Sequence, residues 1–135
     1  TGGWQQDSIQ AALLGLTEQA KTYLVQAVTT ENLMGSANEK ANRSDSRFPA
    51  FWGPNFDWIP DQCQASVILN TLQYMLMQTD GKKIYLLPAW PKDWNANFKL
   101  HAPYQTIVEG RVENGKVLDL KVTPESREKD IQLLN

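Results

Sequence analysis

The sequence predicts a mixed α+β chain in which two helices precede a small antiparallel sheet. Three observations predict this class. Apolar residues recur at intervals of three and four from Trp4 to about Thr29, the period of one helix face. A second, denser apolar run follows Asp61, and beyond Gly81 the pattern changes to the alternation of strands. The chain has 135 residues and is 41% hydrophobic, so we expect it to fold around a genuine core.

The first segment is predicted to be one long amphipathic helix. Its apolar positions are Ile9, Leu13, Leu16, Ala20, Tyr23, Leu24 and Ala27. Residues 30–47, which follow it, are polar and nearly free of large apolar side chains. This composition is typical of a connecting loop, and its length is typical of a functional or mobile one.

The second helix is predicted to begin at Asp61, because Asp61 and Gln64 form an N-cap signature. We expect it to end near Asp80 and Gly81. Residues 65–77 are apolar on nearly every side, which predicts deep burial with neighbours all round. Two interpretations stay open: the neighbours belong to further chain, or the sheet of a compact α+β domain covers the helix.

The predicted sheet occupies the C-terminal third of the chain. A short apolar run starts at Ile84, and residues 106–112 and 117–122 alternate between apolar and polar side chains. Asn114 and Gly115 lie between the last two segments and favour a tight hairpin turn. The sequence therefore predicts an antiparallel hairpin here.

Composition excludes several classes of protein. The net charge is −2 and the lysines and arginines are scattered, so we expect no nucleic-acid partner. No apolar run approaches the roughly 20 residues needed for a membrane span. The single cysteine, Cys63, and single histidine, His101, exclude an internal disulfide and a Cys- or His-based metal site. We predict that Cys63 is buried, and that the chain binds no metal or cofactor, since no phosphate-binding or zinc-hydrolase motif is present.

The candidate functional site is the segment from Phe48 to Asp61, in which three prolines and a glycine forbid regular structure. Five aromatic residues lie in it beside three polar ones: Phe48, Phe51, Trp52, Phe56 and Trp58, with Asn55, Asp57 and Asp61. Aromatic faces stack on pyranose rings, and a positioned carboxylate can activate water, so the segment suits a sugar. The alternative is that the aromatics anchor a loop in the core and Asp61 only caps a helix.

A proline-bracketed motif follows the second helix. The run Leu-Leu-Pro-Ala-Trp-Pro occupies residues 86–91, Trp94 follows it, and the preceding helix closes with Met-Leu-Met-Gln at residues 75–78. This order resembles the C-terminal region of family 95 glycoside hydrolases, the α-L-fucosidase-like enzymes. The family's Asp-Gly-Asn-Phe-Gly motif is absent, so the resemblance is to a divergent relative.

The resemblance implies a fold. Residues 1–82 would supply the last helices and the active-site loop of an (α/α)6 barrel, and residues 83–135 a small antiparallel β-sandwich or sheet. It also implies an inverting glycosidase in which an Asp of the loop activates water and a Glu elsewhere in the barrel protonates the leaving group.

The resemblance also implies roles for particular residues. Counting back from Met75 places Asp61 closest to the family's base, with Asp57 second, and Trp52, Asn55, Trp58 and Phe51 would bind substrate. The expected partners are a carbohydrate and the remainder of the enzyme chain, without which this chain would be inactive. The expected location is the periplasm or the medium. A different class of function stays open, a non-catalytic glycan-binding or structural accessory domain.

Overall fold

The computed structural model describes residues 5–29 and 63–134, and in it the chain contains both helices and sheets. The helices are α1 (Asp7–Leu13), α2 (Thr17–Thr29) and α3 (Cys63–Leu76). The strands are β1 (Met77–Asp80), β2 (Lys83–Leu86), β3 (Ala96–Ala102), β4 (Thr106–Glu113), β5 (Lys116–Thr123) and β6 (Ile131–Leu133), with a 3-10 helix (Glu125–Asp130) before β6. The predicted α+β class is confirmed.

The first predicted helix is in fact two helices that meet at a corner. Gly15 has a φ of 71°, a conformation that costs glycine little because it has no Cβ. Its N–H donates to the Ala12 carbonyl at 3.0 Å, and the Leu16 N–H donates to the Ala11 carbonyl at 2.9 Å. These two bonds form a Schellman cap, which ends α1. The prediction of one continuous helix is therefore wrong.

Helix α3 ends at Leu76, four residues before the predicted end. Met77–Asp80 pairs antiparallel with Lys83–Leu86 as β1 and β2, and Gly81, with a φ of 56°, lies in the turn between them. The backbone of these four residues thus pairs with a strand instead of continuing the helix. Pairing with β2 thus overrides the apolar helical pattern that continues through Met77.

Only one side of α3 is buried. Val67, Thr71 and Met75 form the buried stripe, and the Thr71 hydroxyl is 2.8 Å from the Ser8 hydroxyl of α1. On another side Leu69 is 66% exposed. Cys63, in the first turn, is exposed as well. The predictions that α3 is buried all round and that Cys63 is buried are therefore wrong for the described part of the chain.

The six strands form two three-stranded sheets. The first has the order β1-β2-β6, and its β2 and β6 run parallel. The second has the order β3-β4-β5 and is antiparallel throughout. Asn114 and Gly115 connect β4 to β5 with φ values of 50° and 73°, as a type I′ hairpin turn requires. The predicted hairpin is confirmed, whereas the region is not purely antiparallel.

Two apolar clusters form the interior. The sheet core draws on both sheets and on the end of α3: Leu76, Met77, Ile84, Leu86, Leu87, Phe98, Ala102, Val108, Val112 and Val122. The helix core consists of Ala11, Ala12, Ala20, Leu24, Met75 and Ala89. Trp90 is partly buried and packs against both cores, so it lies at their junction.

A buried arginine joins the two sheets. The Nε of Arg127, in the 3-10 helix, donates to the Thr106 hydroxyl at 2.9 Å, and its Nη2 donates to the Lys82 carbonyl at 3.0 Å. Its Nη1 donates to Asp130, and the guanidinium carbon lies 5.3 Å from the centre of the Tyr104 ring. Thr106 opens β4 and Lys82 lies in the β1–β2 turn. The Arg127 clasp, as we call this network, therefore fixes the first sheet against the second.

Candidate functional site

The residues predicted to carry function lie outside the described part of the chain. These are the candidate bases Asp61 and Asp57 and the candidate substrate-binding residues Trp52, Asn55, Trp58 and Phe51. Their roles stay predictions. The described residues show instead how the proline-bracketed motif, on which the resemblance rests, is held.

Residues 86–94, the signature segment, cross the C-terminal end of α3. The Leu87 N–H donates to the Leu76 carbonyl at 2.8 Å, and the Ala89 N–H donates to the Met75 carbonyl at 3.1 Å. The last carbonyls of a helix have no partner within it, so the segment supplies donors that α3 lacks. Leu87 reaches this position with a φ of 63°, which costs a residue with a Cβ about 1–2 kcal/mol.

The two tryptophans of the signature segment hold each other in place. The Trp90 Nε1 donates to the Trp94 carbonyl at 2.9 Å, and the Trp94 N–H donates to the Pro91 carbonyl at 3.1 Å. Their ring centres are 5.8 Å apart and the rings are nearly perpendicular, at 80°. This edge-to-face geometry is favourable because the positive edge of one ring meets the negative face of the other. The segment therefore presents a fixed aromatic corner.

An ion pair ties the segment to α2. The Lys21 ammonium lies 2.9 and 2.8 Å from the two carboxylate oxygens of Asp93, and 5.8 Å from the centre of the Trp94 ring. The hydrogen bond from Lys21 lowers the pKa of Asp93 below its usual value. Asp93 is largely exposed, so the pair orients the segment more than it stabilises the fold.

A cleft of about 550 Å³ opens beside the aromatic corner. Gly15 and Glu18, at the α1–α2 corner, line one side of it. Gly115, in the β4–β5 turn, approaches from the second sheet. The signature segment lines another side with Leu87, Pro88, Trp90, Lys92 and Asp93. The cleft thus lies where the α1–α2 corner, the signature segment and the β4–β5 hairpin meet.

The carboxylates of the β3–β4–β5 sheet are held in ion pairs. Glu109, in β4, lies 3.1 Å from Lys99 and 3.1 Å from Lys121, on the neighbouring strands. Hydrogen bonds from Lys99 and then Lys121 lower the pKa of Glu109, so this carboxylate is a poor proton donor. Within residues 5–29 and 63–134, no group of three or more His, Cys, Asp or Glu residues is arranged to hold a metal ion.

Sequence reasoning missed the polar lining of the cleft. Glu18 lies in an exposed helical turn, and Lys21 and Asp93 are separated by 72 residues in the chain. No local pattern links residues so far apart. The sequence did hold one indication of a fixed aromatic segment here. Trp90 lies between two prolines, and Trp94 follows it four residues later.

Comparisons of the chain with family models, with curated proteins and with solved structures give no match. The resemblance to family 95 glycoside hydrolases therefore stays a prediction that rests on the motif and the order of elements. No helix in the described ranges is long and apolar enough to cross a membrane.

Proposed function

We propose that this chain is the C-terminal part of a glycoside hydrolase related to family 95, which acts on glycans with inversion. The observation that carries the proposal is the position of the signature segment. It lies across the end of α3 and connects β2 of the first sheet to β3 of the second, and the resemblance likewise implies that the signature follows a helix and precedes a small β domain. In the proposal, residues 1–82 complete an (α/α)6 barrel, and residues 83–135 form the small β domain that follows it.

The surface of the helices supports the proposal. Several large apolar side chains of α1, α2 and α3, and of the corner between the first two, are exposed: Leu13, Leu14, Leu16, Val25, Val28 and Leu69. Leu14 is 73% exposed. Exposed apolar residues become meaningful when several lie on the same elements, because the free energy of covering them drives association. Further helices of a barrel would cover them.

The proposed mechanism divides the chemistry between two parts of the enzyme. Asp61 takes a proton from water as the water attacks the anomeric carbon, and Asp57 is the second candidate for this role. A Glu from elsewhere in the barrel donates a proton to the leaving oxygen on the opposite face, about 6.5–9.5 Å away. Trp52, Trp58 and Phe51 stack on the sugar, and Asn55 bonds its hydroxyls. The enzyme needs no metal or cofactor and works in the periplasm or outside the cell.

The proposal is tested on full-length enzyme. Asp61→Asn should lower kcat at least ~10²-fold, because an amide cannot accept the proton of the attacking water. Asp57→Asn is the matched variant and should cost much less. Proton NMR of the first product should show inversion at the anomeric carbon. Near-normal turnover of Asp61→Asn would contradict the assignment of the base.

The same experiment separates the enzyme from a binding module. A full-length protein that binds glycans without turning them over would contradict the proposed hydrolase. In that case binding should survive Asp61→Asn and be lost on Trp52→Ala, and the function would be non-catalytic glycan binding.

A further inference from the structure

We infer that the cleft beside the signature segment is a binding subsite for an uncharged saccharide, with Trp90, Glu18 and Lys92 as its main contacts. The inference rests on the proposed function in one respect, the choice of a glycan as ligand. It adds a surface that the predicted active-site residues do not include.

The cleft has the size and the rigidity of a ligand site. Its volume of about 550 Å³ lies within the roughly 300–1,000 Å³ of most small-molecule sites. Its walls are held before any ligand arrives: Trp90 by the bond from its Nε1 to the Trp94 carbonyl, and Leu87 by its bond to the Leu76 carbonyl. A site that is already ordered loses little conformational entropy on binding.

The polar groups in the cleft indicate the class of ligand. Glu18 and Lys92 both line it, and neither side chain has a hydrogen-bond or ion-pair partner within residues 5–29 and 63–134. The charge of Asp93 is balanced by Lys21. The cleft therefore carries one free acceptor and one free donor with no net charge, which suits an uncharged ligand rich in hydroxyl groups better than a phosphate. The partly exposed Trp90 adds an aromatic surface for a sugar ring.

Gly115 fixes the position of Lys92 at the rim. A Cβ on Gly115 would lie 3.2 Å from the Lys92 Cγ and 3.4 Å from its Cβ, which is closer than ordinary contact. The type I′ turn requires a positive φ at this residue, and glycine satisfies both demands at once. The hairpin therefore packs against the stem of Lys92, a residue that lines the cleft.

Binding is tested by NMR on the isotope-labelled 135-residue chain. The probes are four neutral tetrasaccharides, one each of glucose, mannose, galactose and xylose units. At least one should shift the Trp90 indole N–H and the backbone N–H signals of Glu18 and Gly115. Glu18→Gln should weaken this binding about tenfold, because a charged acceptor is replaced by a neutral one. Glu125→Gln, a matched change at an exposed glutamate far along the chain, should leave the affinity unchanged.

Trp90→Phe is the second variant, chosen because phenylalanine keeps an aromatic ring between the two cores. It should weaken binding at least ~5-fold while the spectrum stays dispersed. Unchanged affinity in both Glu18→Gln and Trp90→Phe would overturn the inference. So would shifts confined to the indoles of Trp52 and Trp58, an absence of shifts with all four sugars, or a stronger response to a charged dipeptide.

The two proposals fail separately. If turnover depends on Asp61 but no saccharide binds in the cleft, only the proposed subsite is wrong. If a saccharide binds at Trp90 but the full-length protein shows no turnover, only the proposed hydrolase activity is wrong.

Discussion

The sheet core and the helix core are built from different side chains. The sheet core buries large branched residues completely, including Ile84, Leu86, Val108 and Val112. Four of the six members of the helix core are alanines, Ala11, Ala12, Ala20 and Ala89. The leucines beside them, such as Leu14, point outwards instead. The sheets therefore close around their own large apolar residues, whereas the helices pack mainly on alanines, with Leu24 and Met75, and leave several of their large apolar residues uncovered.

This difference indicates where stability resides. Apolar burial contributes roughly 25 cal/mol per Å², so large buried side chains stabilise the sheets more than alanines stabilise the helices. Alanine, however, lets helices approach each other closely. The helical half therefore exposes apolar side chains that the proposed barrel would cover, whereas the large apolar residues of the sheet core are covered within the described residues.

The largest effect should come from removing a side chain of the sheet core. Leu86 is completely buried in β2, and Leu86→Ala should lower the free energy of unfolding by about 2–5 kcal/mol, through lost burial and the cavity left behind. Leu69→Ala removes the same atoms from an exposed position and should change it by about 0.5 kcal/mol or less. Urea unfolding followed by tryptophan fluorescence measures both.

The variants Leu86→Ala and Leu69→Ala can also be compared in the full-length enzyme. If barrel helices cover α3, the cost of Leu69→Ala should rise towards that of a buried leucine. An equally small cost in both contexts would contradict the packing of α3 within a barrel.

Loss of the Arg127 clasp should be the next largest effect. Arg127→Met keeps the apolar stem but removes the bonds to Thr106, Lys82 and Asp130. It should cost about 2–4 kcal/mol, because the buried Thr106 hydroxyl and the partly buried Asp130 carboxylate each lose a donor. Arg111→Met is the control, since Arg111 is 42% exposed and its ion pairs are solvated. Similar urea midpoints for the two variants would show that the clasp does not hold the sheets together.

The smallest effect should be the pH dependence of the pair between α2 and the signature segment. Lys21 lowers the pKa of Asp93, so the unfolded chain takes up this proton at a higher pH than the folded one. The pair is therefore stabilising above the ordinary Asp pKa of about 3.9, and its contribution is lost as the pH falls through the lowered pKa. The stability gap between the native chain and Asp93→Asn should close on acidification. A gap that stays constant between about pH 6 and pH 2 would argue against the pair.

Local patterns predicted some elements correctly. The β4–β5 hairpin follows from alternation on both sides of Asn114 and Gly115, and all of that information lies within adjacent residues. The strand β3 was not predicted, although Phe98, Leu100 and Ala102 alternate along it, and the small residue at each end weakens this signal.

Other features depend on distant parts of the chain. Gly15 interrupts an apolar period that continues through it, so the spacing of Leu13 and Leu16 concealed the corner. Met77 continues the apolar run of α3 and becomes a strand residue only because β2 pairs with it. The parallel pairing of β6 with β2 and the contact of Lys21 with Asp93 join segments that share no local pattern. The cleft could not be predicted from the sequence for the same reason, because α1, α2, the signature segment and the β4–β5 turn all contribute to it.

The Arg127 clasp and β6 also set the order in which the molecule can be completed during synthesis. The first sheet needs residues 131–133 for its third strand, and the link between the sheets needs Arg127. Both are translated after their partners, because β2 and the β1–β2 turn lie some 45 residues earlier in the chain. Until then Leu86 offers an open strand edge. Residues 127–133 therefore complete the first sheet and its link to the second only after the other five strands have been synthesised.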